Sequence, residues 1–522
     1  MNENLKKIKR LPIARAEFRS FTYENFCYVD KTQFIKQLES EGTKYFFLSR
    51  PRRFGKSLFL DTLRAAFAGE KELFVGLFLE NNWDWETKYP VIKVSFGGAT
   101  ISNIAEFQNS TNFSLNIIAE SYQVELAEKN FPATAFKELI NKLTKKYNLP
   151  VVVLIDEYDK PLLDNITKPE AKVLREELAS FYSILKEEER NLKFVFITGV
   201  SKFSKTSIFS KLNNIVDISL NVKYADICGY TQDDLEHIFV DYLHDVDLEK
   251  VKSWYDGYNF LGKNLYNPFD VLLFLNEKKY KPYWFETGTP TFLLELIKER
   301  KYHVPSLENV TISLSQLTEF DIDRIDLIVL LFQAGYLTIA KEEILGDEYF
   351  YDLKIPNKEV RKGLYDYLLR MFYAIEADTN TRTKLSIAIY NSIANKKPED
   401  LENAFKSFFA GIPHDWYRKN NISEFEGFYS ALFYAFFAAL GFDLVAEDTT
   451  NKGKIDLTVF SNTNVFIFEF KMKNNQKNAL QQIKDKKYHE KYIKKCNELY
   501  LVGIEFDEDE KNISNFEYEK IQ

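Results

Sequence analysis

Cysteine is scarce in this chain: three residues in 522, at Cys27, Cys228 and Cys496, with no C-x-x-C pair. Histidine is nearly as rare, at five, so a structural zinc site has too few ligands in any usable spacing. This usage fits a reducing compartment. Long hydrophobic runs are missing too. The longest, 429–442, is too short to span a bilayer and reads as a buried helix. The opening MNENLKKIKRLP has no apolar core of a secretory signal, so the expected location is the cytoplasm, with no membrane partner. A surplus of positive charge is also lacking. The formal net charge of -8 excludes a surface coated in basic residues, while a local basic groove stays open. Neither internal repeats nor low-complexity linkers punctuate the chain.

What is present is ordinary for a globular protein, with 45% hydrophobic and 28% charged residues, at a length that suggests two or three domains. The aromatic share of 16%, with 46 Phe and 31 Tyr, reads as a compositional bias towards Phe, Tyr, Lys, Asn and Ile. Residues 44–49 (KYFFLS) read as a strand, followed by a glycine-lysine turn and a helix over 58–67. Further strands are expected at 91–96, 151–155 (VVVLI) and 194–198 (FVFIT), with helical periodicity over 101–147 and 171–190. An uninterrupted β-branched run suits a parallel strand buried on both faces. Strands alternating with helices predict a doubly wound α/β domain over 1–290. A mainly helical connecting region follows over 291–410, with a hairpin near 335–352 and no function-bearing motif. The last part, 411–522, predicts a helix, three strands (442–447, 454–460, 465–470), a lysine-rich helix and a final strand at 498–504.

The turn after the first strand reads R-P-R-R-F-G-K-S, residues 50–57. Gly55, Lys56 and Ser57 are the residues that close a phosphate-binding loop, and Arg50 stands where the first glycine of that pattern belongs. Gly55 lets backbone N–H groups approach phosphate, Lys56 reaches its oxygens, and Ser57 holds Mg²⁺. Phe54 and Leu58 flank them and are expected to border the nucleotide with them. Asp156 and Glu157 end the buried 151–155 strand, where Asp156 can hold Mg²⁺ through water and Glu157 can polarise an attacking water. Thr198, at the next strand end, is a candidate sensor of the terminal phosphate or a buried strand-end threonine. Arg52 and Arg53 could touch phosphate, touch a neighbouring subunit, or simply be solvated. Lys202, Lys205 and Lys211 could face phosphate or nucleic acid, or line a solvated loop.

Near the C-terminus, G-K-I-D-L (453–457) precedes F-E-F-K (468–471). A period of two puts Glu469 and Lys471 on one face of a strand, and pairing with the neighbouring strand adds Asp456. Two carboxylates suit Mg²⁺, and the ammonium can orient water and stabilise charge developing on phosphorus. An exposed edge strand defended by charges would show the same alternation. Lysines between Lys471 and Lys495 could flank a phosphate backbone or line a solvated helix.

R-P-R-R-F-G-K-S, L-I-D-E-Y-D-K-P, F-I-T-G-V-S-K-F-S, L-N-N, W-Y-D-G-Y and Y-N-P-F-D together resemble the AAA-ATPase-like proteins of many bacteria, which typically carry a nuclease-like C-terminal domain. The loop also resembles the G-P-R-R-x-G-K-T loop of archaeal-type ATPases. The first resemblance implies a P-loop NTPase domain that binds ATP, with hydrolysis less secure. The D…E-x-K pattern resembles restriction-endonuclease-like (PD-(D/E)XK) nucleases. That resemblance extends to Glu426 as a helix-borne acid completing the metal site, and to Gln481 or Gln482 on the following helix, with Gln481 the residue assigned. Trp254–Tyr258 match the first family without a chemical role. Expected partners are ATP, Mg²⁺ and nucleic acid, DNA ahead of RNA, and a homo-oligomer is compatible. An ATP-dependent nuclease is the leading expectation, with defence against mobile DNA suggested by analogy. A nucleotide-switched regulator and a nucleic-acid binder with a dead nuclease core stay open beside it.

Overall fold

The computed structural model describes residues 8–98, 101–166, 168–202, 212, 214–288, 307, 310–318, 326–372, 379–410, 426–473 and 478–522. They fall into two compact units, Met1–Leu296 with Thr311–Asn357, and Ile297–Val310 with Lys358–Gln522. The 291–410 stretch is therefore shared between the units: its hairpin belongs to the first and its later helices to the second.

The first unit holds a five-stranded sheet of β1 (Tyr45–Ser49), β2 (Val91–Ser95), β3 (Val151–Asp156), β4 (Leu192–Gly199) and β5 (Val216–Asp217), in the order β2-β3-β4-β1-β5. Every neighbouring pair is parallel. Val151 to Ile155 are fully buried, which is why that strand carries no polar alternation. Long helices Ile104–Ser121, Pro132–Tyr147 and Glu170–Glu187 connect the strands. Local signals start and stop them: Asn103 accepts the Glu106 amide as an N-cap, and Asn148 in the left-handed region ends the second helix. Because β4 lies between β1 and β3, the turns leaving β1 and β3 open at the same end of the sheet, the place where such folds bind ligands.

Within the same unit, β6 (Val310–Ser313), β7 (Thr338–Leu345) and β8 (Glu348–Lys354) form a small sheet in the order β6-β8-β7. The expected hairpin is the antiparallel β7–β8 pair.

In the second unit, β9 (Asp443–Thr450), β10 (Gly453–Ser461), β11 (Asn464–Met472), β12 (Glu498–Asp507) and β13 (Asn512–Lys520) form a mixed sheet in the order β13-β12-β11-β10-β9. Only β11 and β12 run parallel. Helix Glu426–Ala439 lies over it, with Phe433 meeting Phe470 at 5.1 Å and Phe437 meeting Phe468 at 5.4 Å between ring centroids. Helix Glu399–Ala410 stacks Phe405 on Phe433. Much of the chain's phenylalanine is thus core filler of the kind that aromatic pairs supply. β13 escapes a sequence reading because N-I-S-N-F-E-Y-E-K buries only Ile513 and carries charge to its end, the composition of a protected edge. Among the described residues, no helix is long and apolar enough to cross a membrane.

Candidate functional site

At the carboxyl end of β1 the chain turns sharply. Arg53 (φ 63°) and Gly55 (φ 95°) are both left-handed, and helix Lys56–Phe67 starts directly after them. A cleft of about 460 Å³ opens over this turn, bordered by Arg52, Arg53, Gly55, Lys56, Ser57 and Leu58, and by Glu157 from the β3 turn. The first N–H groups of the helix have no intrahelical acceptor, so the turn presents donors to the cleft. Lys56 is buried, and its Nζ donates to the carbonyls of Arg50 (2.8 Å) and Pro51 (2.9 Å). Burial lowers its pKa, while Asp156 and Glu157 act against that.

Glu157 takes φ 51° at the end of β3. Gly97, just beyond β2, makes room for it, since a Cβ there would stand 2.8 Å from Glu157 Oε2. Burial and the neighbouring Asp156 raise the Glu157 pKa, and Lys56 partly opposes them. Asp156 is buried, and its Oδ1 accepts the Thr198 hydroxyl at 2.6 Å. Thr198 itself is fully enclosed, so its hydroxyl is committed to Asp156 rather than to the cleft that the sensor role requires. Phe54 differs from expectation in a related way. It borders the cleft, but its ring is fully buried and packs edge-on against Tyr258 and Phe260. The Arg53 guanidinium lies over the Phe269 ring at 5.0 Å. Lys202 pairs with Asp217 at 2.5 Å, while Lys205 and Lys211 lie outside the described residues.

A second constellation sits on β10 and β11. Their ladder pairs Leu457 with Phe468, and Asp456 continues where it stops: its Oδ2 accepts the Phe470 amide at 2.8 Å. Glu469 is buried, with Lys471 Nζ 3.3 Å from its Oε1. Lys471 also donates to the Phe470 carbonyl at 2.9 Å. Gln482, on helix Ala479–Asp485, donates its amide to Glu469. Gln481 does not reach this group. It is exposed and bonds Asp485 at 2.8 Å, because adjacent helical residues point about 100° apart. Glu426 is the first residue of its helix, and its side chain lies outside the described residues. Among the described residues, no group of three His, Cys, Asp or Glu gathers as a metal site. Asp456 and Glu469, on neighbouring strands, carry hard oxygen donors of the kind Mg²⁺ takes. Lysines expected to flank a phosphate backbone are partly taken: Lys473 pairs with Asp507, Lys484 with Glu519 and Lys491 with Asp448.

A family model described as "Predicted AAA-ATPase" matches residues 12–209, and one for the PD-(D/E)XK nuclease superfamily matches 424–516. The chain is 42% identical over 517 residues to a protein of Azotobacter chroococcum mcd 1 described as an uncharacterized protein in the vnfD 5' region, covering 98% of this chain and 99% of that one. This chain belongs to the AAA-ATPase-like family with a C-terminal PD-(D/E)XK nuclease superfamily domain. Among solved structures, the Aeropyrum pernix ORC1 protein in complex with DNA aligns at 12% identity over 65% of this chain and 93% of that one. The TM-score of that alignment is 0.26.

Several motifs of this AAA-ATPase-like protein gain roles that sequence reasoning missed. Asp159, the second aspartate of L-I-D-E-Y-D, is buried and its Oδ2 accepts from Val200 N (3.0 Å), Ser201 N (2.6 Å) and Ser201 Oγ (2.6 Å). Gly199 permits this approach, as a Cβ there would come within 2.5 Å of the Tyr158 ring. The D-E-Y-D and T-G-V-S motifs therefore clamp each other, which spacing alone could not reveal. In Y-N-P-F-D, Asn267 caps helix Pro268–Glu277 and donates to the Arg52 carbonyl at 3.4 Å. Arg50, the missing glycine, is almost fully buried. It donates to the carbonyls of Ser49, Ser219, Tyr224 and Ala225 at 2.7–3.2 Å, with its guanidinium 3.9 Å over the Phe260 ring. Burial pulls its pKa down to about 10, so it stays cationic at neutral pH.

Two predictions arise here. Arg50→Met keeps the volume but strands those carbonyls, and chemical denaturation should show a loss of about 3 kcal/mol; an unchanged midpoint would remove the strut role. Gln482→Ala should lower nucleic-acid cleavage about tenfold, by loss of one bond to a charged group. Gln481→Ala should leave the rate unchanged, and equal losses in both would contradict the geometry.

Proposed function

We propose that this protein binds ATP with Mg²⁺ at the β1 turn, hydrolyses it, and couples that cycle to cleavage of nucleic acid at the β10–β11 site. The observation that carries the proposal is the buried Glu469 engaged by both Lys471 and Gln482, with Asp456 of the neighbouring strand bonded to the next amide, Phe470, in a chain that also carries the Lys56 cleft. At the first site, the turn amides and Lys56 would hold the phosphates, and Ser57 with Asp156 would hold the cation. Glu157, directed into the cleft with a raised pKa, would accept a proton from water. Arg52 and Arg53 stand at the rim to meet further phosphate charge. At the second site Asp456 and Glu469 would hold Mg²⁺, which when bound supplies Lewis-acid stabilisation of a phosphoryl oxygen. Lys471 orients the attacking water, and Gln482 fixes the Glu469 carboxylate. Glu426 completes the acidic set in this proposal.

DNA is the proposed substrate ahead of RNA, with mobile DNA as its source by analogy with other ATPase–nuclease fusions, in a cytoplasmic protein. Purified protein incubated with Mg²⁺, with and without ATP, against single- and double-stranded DNA and RNA tests this. Release of cut strands supports it. Strands left intact under every condition, with ATP affinity retained, would leave the nucleotide-switched reading in its place.

A further inference from the structure

The described residues 283–288, 311–318 and 326–357 of the first unit take no part in the chemistry above. Helix Leu327–Ala334 within them has all eight residues buried. A helix with no polar face reads no nucleic-acid groove; it is packed inward. The β7–β8 hairpin carries Glu342, Glu343, Asp347 and Glu348, with Lys341 engaged by Glu343, so it also repels phosphate.

What these elements touch is the phosphate turn. Trp284 is buried, and its indole N–H donates to the Arg52 carbonyl at 3.1 Å. Gly335, with φ 94°, lies so close to Pro51 that a Cβ would stand 2.7 Å from the Pro51 Cβ. Gln333, also buried, accepts the Lys202 amide at 3.1 Å, just past the turn that Asp159 clamps. The W-Y-D-G-Y-N turn makes a second connection. Tyr258 and Phe260 hold the Phe54 ring, while Asn259 N donates to Thr338 Oγ1 at 2.7 Å. A Cβ on Gly257 would stand 2.2 Å from the Pro356 carbonyl oxygen.

We propose that the described residues 283–288 and 326–357 of the first unit read the state of the phosphate turn, with Trp284, Gly335 and Gln333 as positioning residues that relay it to β7, β8 and the Pro356–Asn357 junction. Beyond that junction, at Lys358, the second unit resumes. The inference rests on nucleotide binding at the Lys56 cleft and adds to it a direction of signalling. Lys56 holds the carbonyls of Arg50 and Pro51, two and one peptides before the carbonyl that Trp284 holds. A Lys56 drawn towards phosphate releases the first two, and the turn then shifts against Trp284 and Gly335. Contacts this close have no slack to absorb the shift, so it passes on as a change of packing.

The test uses the full chain, calorimetry with ATP and with ADP in Mg²⁺, tryptophan emission, and hydrogen exchange over 336–357. Nucleotide should change the emission of the wild type, which has five tryptophans, and should slow exchange in 336–357 about tenfold. Trp284→Phe should erase most of the emission change and the exchange effect while calorimetric binding persists. Nucleotide that binds without altering exchange in the wild type overturns the relay alone, and that measurement needs no variant to fold. An emission change of full size in Trp284→Phe overturns it as well. No calorimetric binding of either nucleotide overturns the nucleotide site and the relay together.

Discussion

Lys471→Ala is expected to lose Mg²⁺-dependent strand cleavage by about 1,000-fold while binding ATP as the wild type does. The size follows from where Lys471 stands: mostly buried, 3.3 Å from Glu469 and bonded to the Phe470 carbonyl. Its ammonium is held beside Glu469, so its loss removes stabilisation of the negative charge that would build on the phosphoryl oxygens. A companion substitution sharpens the result. Asp456→Asn keeps an oxygen for the Phe470 amide, preserving the strand edge, but removes the charge needed to hold a cation. It should be folded and inactive. Gel assays over a Mg²⁺ series would show both effects, and cleavage by Lys471→Ala at the wild-type rate would sink the nuclease assignment.

The second large effect is expected at Lys56. Lys56→Ala should weaken ATP binding about 100-fold, the loss of charge-assisted bonds to phosphate. The variant also frees the Arg50 and Pro51 carbonyls from an internal donor, so a small stability change should accompany it. Calorimetry on wild type and variant separates the two, and unaltered affinity would mean that the turn does not hold phosphate. The proposed turnover, with Glu157 as its base, carries a pH signature as well. Glu157 must be ionised to accept a proton, and its raised pKa means that activity falls on acidification before an ordinary glutamate would protonate. A rate flat through that range would exclude Glu157 as the base.

The parallel sheet was readable because its strands are buried on both faces, and Val151 to Ile155 can be little else. The loop, the D-E pair and the E-x-K strand were readable because each is local in sequence. What sequence could not supply was side-chain direction. Thr198 sits at the expected strand end yet turns to Asp156, and Phe54 sits in the loop yet turns to the core. The choice between Gln481 and Gln482 depends on helix phase relative to a strand fixed by other contacts. Asp159, Asn267 and Trp284 act on residues 42, 215 and 232 positions away, and no spacing rule reaches that far.

Arg50 has one more consequence, for cooperativity. A glycine at the mouth of a phosphate turn would let the turn open by itself, at little free energy. Here one guanidinium joins that mouth to the chain from Ser219 to Ala225 and to the Phe260 ring, so these pieces cannot come undone separately. The turn, the edge of the sheet at β5 and the aromatic turn are therefore expected to open together in hydrogen exchange, and separate opening rates in the wild type would contradict this.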